Sequence, residues 1–421
     1  MIACRLLVLL ALTLPLLGCP SSNGGSGGGS STLAITTTTA PFGVVGNNYS
    51  ATLATTGGTA PFTWTLFGGA LPTPLVLNTS TGTVTGIPTA AGNSTATFTV
   101  RDSTGQTATG TVLFAVHPRT DLLSVDNSAP PVPGSGTSTT PSISDDGRFV
   151  AFTSLAGNLS SGGVGSQVYV HDWQTNQTTL ISKNGTAAAP TGGNGPSTAP
   201  SVSSDGRFVA FVSNATDLLP AGSPAVTGQQ IYVQDRQLGT TSLVSKDNFG
   251  NPATAGSTNI SPSISGNGMF IAFVSNATNF GATGTQIYLH DTQVPAPNGQ
   301  TILISKDNTI PTPNPGNGVS GTPSISEDGC FVAFSSAATN LGAPGNQILV
   351  RGPLAIAGCA GTELTSLVSQ DSLGNPANGP ALSTINPSVN GNGQFIAFSS
   401  SATNLFTPPP GNTQIYVRAM P

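Results

Sequence analysis

Residues 200–247 read PSVSSDGRFVAFVSNATDLLPAGSPAVTGQQIYVQDRQLGTTSLVSKD, and this stretch decides the fold. Its apolar residues come in short runs rich in Val, Phe and Ile, separated by turn-forming residues, which is the pattern of strands joined by hairpins. Asp205-Gly206 accepts the positive φ angles that a tight hairpin demands. The run Phe208-Val209-Ala210-Phe211 is apolar at consecutive positions, so a strand there needs cover on both faces. A loop containing Asn214 leads to Ile231-Tyr232-Val233, and a last short run ends at Ser245.

Outward from this stretch, its opening motif Pro-Ser-(Ile/Val)-(Ser/Asn) recurs at Pro141, Pro262, Pro323 and Pro387, with a period of about sixty residues. The turn pair recurs with it, as Asp146-Gly147, Asn267-Gly268, Asp328-Gly329 and Asn392-Gly393. Units of one design, each unable to cover its own sheet, are expected to stack on one another. They resemble TolB-like, WD40-related β-propeller repeats, in which Pro-Ser-x-Ser-x-Asp-Gly-x-x-(Ile/Val)-Ala-Phe-x-Ser is followed by an (Ile/Val)-Tyr-Val-x-Asp strand. The resemblance covers residues 119–421 and implies an all-β propeller. Departures fall in the last two units, where Arg351-Gly352 and Arg418-Ala419 replace the pairs that end in Asp172, Asp235 and Asp291.

Strand counting predicts how the ring closes. Each unit supplies three strands, yet a fourth follows only in residues 179–182, 242–245, 302–305 and 366–369. The absent one is expected at the front, in residues 122–125, where it would close a five-bladed ring by completing the last blade and covering its edge.

Upstream, residues 32–118 hold short β-runs about ten residues apart, the spacing of a sandwich. The passage from Pro61-Phe62 and Trp64 through Leu71-Pro72, Thr81-Gly82, Gly86, Pro88 and Gly92 to Asp102 and Gly105 strongly resembles the bacterial Putative Ig domain family. It implies an Ig-like β-sandwich serving as a spacer or weak binder. Trp64 is read as core, with sugar stacking as the alternative, and Asp102 lacks the neighbouring carboxylates of a calcium cage.

At the N-terminus, Arg5 precedes an apolar run over residues 6–17 that is too short to span a bilayer, the form of a signal peptide over residues 1–18. The run ends in Leu16-Leu17-Gly18-Cys19, which resembles the lipobox of bacterial lipoproteins. That resemblance implies acylation of Cys19, attachment to the membrane through the lipid, and display at the outer membrane or cell surface. Residues 19–31 would then be the lipidated Cys19 and a Gly/Ser tether. Loss of Cys4 with the signal leaves Cys330 and Cys359, an even pair in an oxidising compartment. Cys330 starts the second strand of its unit and Cys359 follows the third, so antiparallel pairing brings both to one edge and a disulfide is expected.

Composition narrows the function. With 6% charged residues, a net charge of −5 and no Lys/Arg cluster, the chain lacks the footprint of a nucleic-acid binder. His117, His171 and His290 are scattered and make no zinc pattern, and no cofactor is expected. Gly24 to Gly28 matches G-x-S-x-G only formally, inside the tether. An active site breaks repeat symmetry whereas turn chemistry keeps it, and all acids except Asp102, Asp121 and Glu363 occupy slots used by more than one unit. Asp146, Asp205 and Asp328 are therefore read as turn residues. Asp126, Asp247, Asp307 and Asp371, each in a Ser-x-Asp triplet, are read as loop starters rather than as a ring of ligands. The expectation is a non-enzymatic envelope lipoprotein, a scaffold that binds a protein or glycan partner through the long loops after its second and fourth strands. The alternative is a carbohydrate-active or other hydrolytic propeller, which carboxylates converging on the central channel would favour.

Overall fold

The computed structural model describes residues 32–420 except 119, 161, 186–190, 294–298, 343, 357, 379–383 and 408–411, so Cys19 and the leader lie outside the described residues. Contacts group the chain into two compact units, Met1–Arg119 and Thr120–Pro421.

In the first unit the strand Gly92–Arg101 lies between Thr63–Gly69 and Thr107–His117, and Gly43–Val44 joins the latter in parallel. A second sheet is built from Tyr49–Thr52, Thr83–Gly86 and Val76–Leu77. The period of two sorts the side chains. Ala96, Phe98 and Val100 turn inward with Val112, Phe114, Val84 and Trp64. The alternate residues Thr97 and Thr99 meet Thr111 and Thr109 across the outer face through their hydroxyls. Trp64 is thus core, and the turn beside it needs Gly82, whose φ is +70° and whose missing Cβ leaves room for the indole. The Asp102 carboxylate accepts the backbone N–H groups of Thr59, Thr104 and Gln106, which makes it a turn organiser.

The second unit is an all-β propeller. Among the described residues it has five antiparallel sheets, here called the first to fifth blades. The first blade comprises Ser138–Ile143, Phe149–Ser154, Gln167–Asp172 and Gln177–Leu180 in that order. The second runs from Ser197–Val202 through Phe208–Ser213 and Gln230–Asp235 to Thr240–Leu243, and the third from Asn259–Ile264 through Phe270–Ser275 and Gln286–Asp291 to Gln300–Leu303. The fourth comprises Ser320–Ile325, Val332–Ser336, Gln347–Gly352 and Leu364–Leu367, and the fifth Thr384–Val389, Phe395–Ser400 and Gln414–Ala419.

The middle strands are buried on both faces because neighbouring blades supply the cover that their continuous apolar runs demand. Blades are also stitched polar group to polar group. Ser142, Ser201, Ser263 and Ser324 each accept, on Oγ, the backbone N–H of Val202, Ile264, Ile325 and Val389 in the next blade.

The expected ring closure is not what the structure displays. Among the described residues nothing pairs with the outer edge of Gln414–Ala419, and residues 122–125 form no strand. They lie instead on the first blade, where the Val125 carbonyl accepts Thr178 Oγ1 at 2.6 Å and Asp121 Oδ2 accepts Trp173 Nε1 at 3.2 Å.

The departure at Arg351-Gly352 also has a structural counterpart. In the first two blades Arg148 and Arg207 pair with Asp172 and Asp235 across the second and third strands, at 2.7 and 2.6 Å. In the fourth blade Cys330 and Gly352 stand in those places, and Cys330 is bonded to Cys359 with the two Cα atoms 5.5 Å apart. A loop of 29 residues closed in this way contributes about 3–4 kcal/mol in the chain-entropy model.

Candidate functional site

The hairpin between the first and second strands is built alike in each blade. Asp146, Asp205 and Asp328 accept the Oγ–H of Ser144, Ser203 and Ser326 and the backbone N–H two residues ahead, which closes the turn. The residue just before this clamp has no role in the hairpin's side-chain bonding, and there the five blades differ: Asp145, Ser204, Gly266, Glu327 and Gly391.

The first strands are innermost, so these five positions meet around the axis. Asp145 N–H donates to Ser204 O, Ser204 N–H to Gly266 O, and Gly266 N–H to Glu327 O, each at 2.9–3.2 Å. All five line one cavity of about 210 Å³, whose deeper wall is Val202, Ile264, Ile325 and Val389. It adjoins an opening of about 800 Å³ rimmed by Asp205, Asn267, Asp328, Asn390 and Asn392.

Glycine at two of the five positions makes room for the acid at the fourth. A Cβ on Gly266 would collide with Glu327 Cγ and come 2.6 Å from Ser204 Oγ. One on Gly391 would stand 2.8 Å from Glu327 Oε2. The Glu327 side chain therefore lies between the third and fifth blades, and its Oε1 accepts Ser204 Oγ–H at 3.4 Å. Two carboxylates not used as turn clamps, Asp145 and Glu327, thus line one small cavity with Ser204, and Glu327 also faces the larger opening with its rim of amides. Such a pair can hold a polyhydroxylated ligand and can donate and accept protons across it.

This opening is on the short-turn face, opposite the long loops favoured for recognition by the sequence reading. Those loops start as that reading has them, with Asp126, Asp247, Asp307 and Asp371 each folded onto its own loop. Asp247 accepts the N–H groups of Phe249 and Asn251, and Asp371 those of Leu373 and Asn375. The Asn314 amide, helped by the backbone of Asn314 and Thr309, holds the Asp307 carboxyl down to about 2. Phe249, Ile310 and Leu373 project almost fully exposed from these loops.

The three singular acids lie elsewhere. Asp102 belongs to the sandwich, Asp121 accepts from Trp173, and Glu363 is bound to the buried Arg351 and to Lys306. His290 is buried, and its tautomer follows from one proton count. Thr301 Oγ1–H donates to Lys246 O at 2.6 Å, so His290 Nδ1–H must donate to that hydroxyl at 2.9 Å. Burial, with Lys246 nearby, pushes this imidazole down to about 3, which keeps it neutral. Among the described residues no group of three His, Cys, Asp or Glu side chains is close enough to hold a metal ion.

Sequence reasoning missed Asp145 and Glu327 because both fall in a repeated slot and were grouped with the turn acids. The signal was there: one position varies from Asp to Ser, Gly and Glu between neighbours that hardly change.

The Putative Ig domain model matches residues 31–117. No curated protein matches the chain. Among solved structures, an oligogalacturonate lyase in complex with manganese is 12% identical with a TM-score of 0.40, covering 82% of each chain. An alpha-L-arabinofuranosidase from Lactobacillus brevis is 13% identical with a TM-score of 0.32, covering 66% of this chain and 89% of its own. The GH74 xyloglucanase from Xanthomonas campestris is 9% identical with a TM-score of 0.34, covering 77% of this chain and 43% of its own. The expectation of a non-enzyme is corrected by these matches, which are mostly enzymes. At such identities the likeness is one of fold, and any chemistry has to be argued from this chain's own residues.

Proposed function

We propose that this chain is a carbohydrate-active hydrolytic propeller of the bacterial cell envelope, with Asp145 and Glu327 as its acid–base pair. The observation that carries this reading is the axial slot, where two carboxylates free of turn duty line one cavity and glycines at two neighbouring positions leave space around Glu327. In glycoside hydrolysis one carboxylic acid protonates the leaving oxygen while a second carboxylate activates water or attacks the sugar. Ser204, Asn267, Asn390 and Asn392, which share the larger opening with Glu327, supply the hydroxyl and amide groups that orient a sugar. Cys19 would tie the enzyme to the membrane by its lipid, with the Gly/Ser tether and the sandwich as spacers. The long-loop face, with Phe249, Ile310 and Leu373 exposed, suits contact with an envelope protein or glycan in addition.

The full chain is to be incubated with a panel of neutral and acidic polysaccharides while new reducing ends are counted. Glu327→Gln and Asp145→Asn should each lower the rate by about 10²–10⁴-fold. Wild-type rates in both variants, or no cleavage of any polysaccharide, would remove the proposal.

A further inference from the structure

Shortly after the third strand of the second, third and fourth blades, one residue makes the same backbone bond. Arg236 N–H donates to Arg207 O, Thr292 N–H to Met269 O and Leu354 N–H to Cys330 O, each at 2.9 Å. In two of the three blades its side chain covers the blade before. The Arg236 guanidinium lies 4.4 Å from the centre of the Phe149 ring, and Leu354 is buried in one cluster with Phe270, Leu289, Ile302 and Ile304. Thr292 is too short for this, and its hydroxyl turns back to donate to Met269 O at 2.9 Å. A cavity of about 360 Å³ is left there, against Phe208, Val233, Ser242 and Val244, which are the second blade's counterparts of the four residues around Leu354.

Charge is missing from the same place. At the boundary of the third and fourth blades Glu363, the residue before the fourth strand, binds Lys306 Nζ at 3.1 Å and Arg351 Nε at 2.5 Å. The registers Asp291↔Gln300 and Gly352↔Leu364 set Gly299 in the place of Glu363 and His290 in that of Arg351. Lys246 corresponds to Lys306, since the carbonyl of each accepts the threonine hydroxyl of the next blade. Lys246 lines the cavity, yet among the described residues no carboxylate lies within ion-pair distance of it. Residues 292–305 hold no charged side chain that could replace Glu363. Asp235, the acid in the cavity wall, is already taken by Arg207 at 2.6 Å. Burial lowers the Lys246 pKa, as it does for an ammonium with no counter-charge.

We infer that the boundary between the second and third blades binds a small apolar monocarboxylate, a medium-chain alkanoate or aryl-alkanoate, with its carboxylate on Lys246 Nζ and its body against Phe208, Val233, Leu238 and Leu243. The next boundary displays the fit within this chain, where Leu354 supplies the apolar body and Glu363 the carboxylate. A ligand here supplies both at once: it fills the space that Thr292 leaves and neutralises Lys246. The volume of about 360 Å³ falls in the range of small-molecule sites, roughly 300–1,000 Å³. The walls come from the outer strands of two blades and share no residue with the axial slot, so this site stands apart from the acid–base reading of Asp145 and Glu327.

The test is calorimetric titration of the full chain with octanoate and 3-phenylpropionate, and with octanamide as the uncharged control. At least one of the two carboxylates should bind with Kd below about 1 mM, and octanamide about tenfold more weakly than octanoate. Lys246→Met should bring octanoate down to the level of octanamide and leave octanamide unchanged. Thr292→Leu, which copies Leu354, should fill the cavity and lower the affinity for both by about tenfold or more without lowering Tm. No binding of either carboxylate, equal affinity for octanoate and its amide, or octanoate affinity unchanged in Lys246→Met would overturn the inference. A reading that needs no variant is photolabelling of the unsubstituted chain with a diazirine-bearing octanoate. The label should fall within residues 233–246 or 290–292 and be displaced by octanoate, whereas a label elsewhere, or one that octanoate does not displace, overturns the site.

Discussion

Replacing Ser245 with alanine removes the hydroxyl that joins the third and fourth strands of the second blade. That hydroxyl is fully buried, donates to Gln230 Oε1 at 2.6 Å and accepts the N–H of Ile231 at 2.9 Å. The Gln230 amide nitrogen is held by the carbonyls of Thr227 and Ala253, so its oxygen cannot swing to another donor. Two buried polar groups lose their partner, at about 1–3 kcal/mol each before relaxation, and about 3 kcal/mol is a fair total. A unit of roughly 300 residues unfolds with an entropy near 0.6 kcal/mol/K, so Tm should fall by about 5 °C. Calorimetry of the full chain reads this in the propeller's transition. Adding Gln230→Met should recover part of the loss, since it removes one of the two stranded groups. A Tm within about 1 °C of wild type for Ser245→Ala would refute the reasoning and show that the Ser245 hydroxyl is not a stabilising element.

Three further outcomes are expected. Gly391→Ala, at a backbone angle open to any residue, should leave Tm nearly unchanged but displace the Glu327 carboxylate and slow polysaccharide cleavage by about tenfold or more; an unaltered rate would separate Glu327 from the chemistry. His290, held down to about 3 by burial and Lys246, binds fewer protons folded than unfolded, so its contribution is full above about 6.5 and is lost as pH falls, at about 1.4 kcal/mol per unit. His290→Gln, which copies Gln234, should therefore flatten the fall of Tm between about pH 6.5 and 5, and identical profiles would show that the imidazole is not desolvated as described. Labelled palmitate should enter the protein in a bacterial host and Cys19→Ser should abolish that label; equal labelling in the variant would rule out the anchor.

Much of the architecture was legible in the chain because its causes are local. Asp-Gly and Asn-Gly pairs require hairpins whatever surrounds them, and continuous apolar runs such as Phe208 to Phe211 cannot be stable with one face in water. The repeat then carries each local decision around the propeller. Trp64 was readable as core for a similar reason, as an aromatic in an alternating strand.

The candidate site was less legible, since it is built from residues that local rules leave undetermined. The position before each turn clamp makes no demand on the hairpin, so Asp145 and Glu327 looked like further turn acids in the sequence. Only the tertiary arrangement, which directs five first strands at one axis, brings these two carboxylates to a common cavity and shows why Gly266 and Gly391 accompany them. The same holds for Cys330, whose place is that of the salt-bridging Arg148 and Arg207, an equivalence that becomes visible when strands far apart in sequence are set in register. Sequence alone determined which segments are strands and where they turn, because φ angles and burial are decided over a few residues. Which side chains meet across blades was decided by packing, because those meetings join residues about sixty or more positions apart.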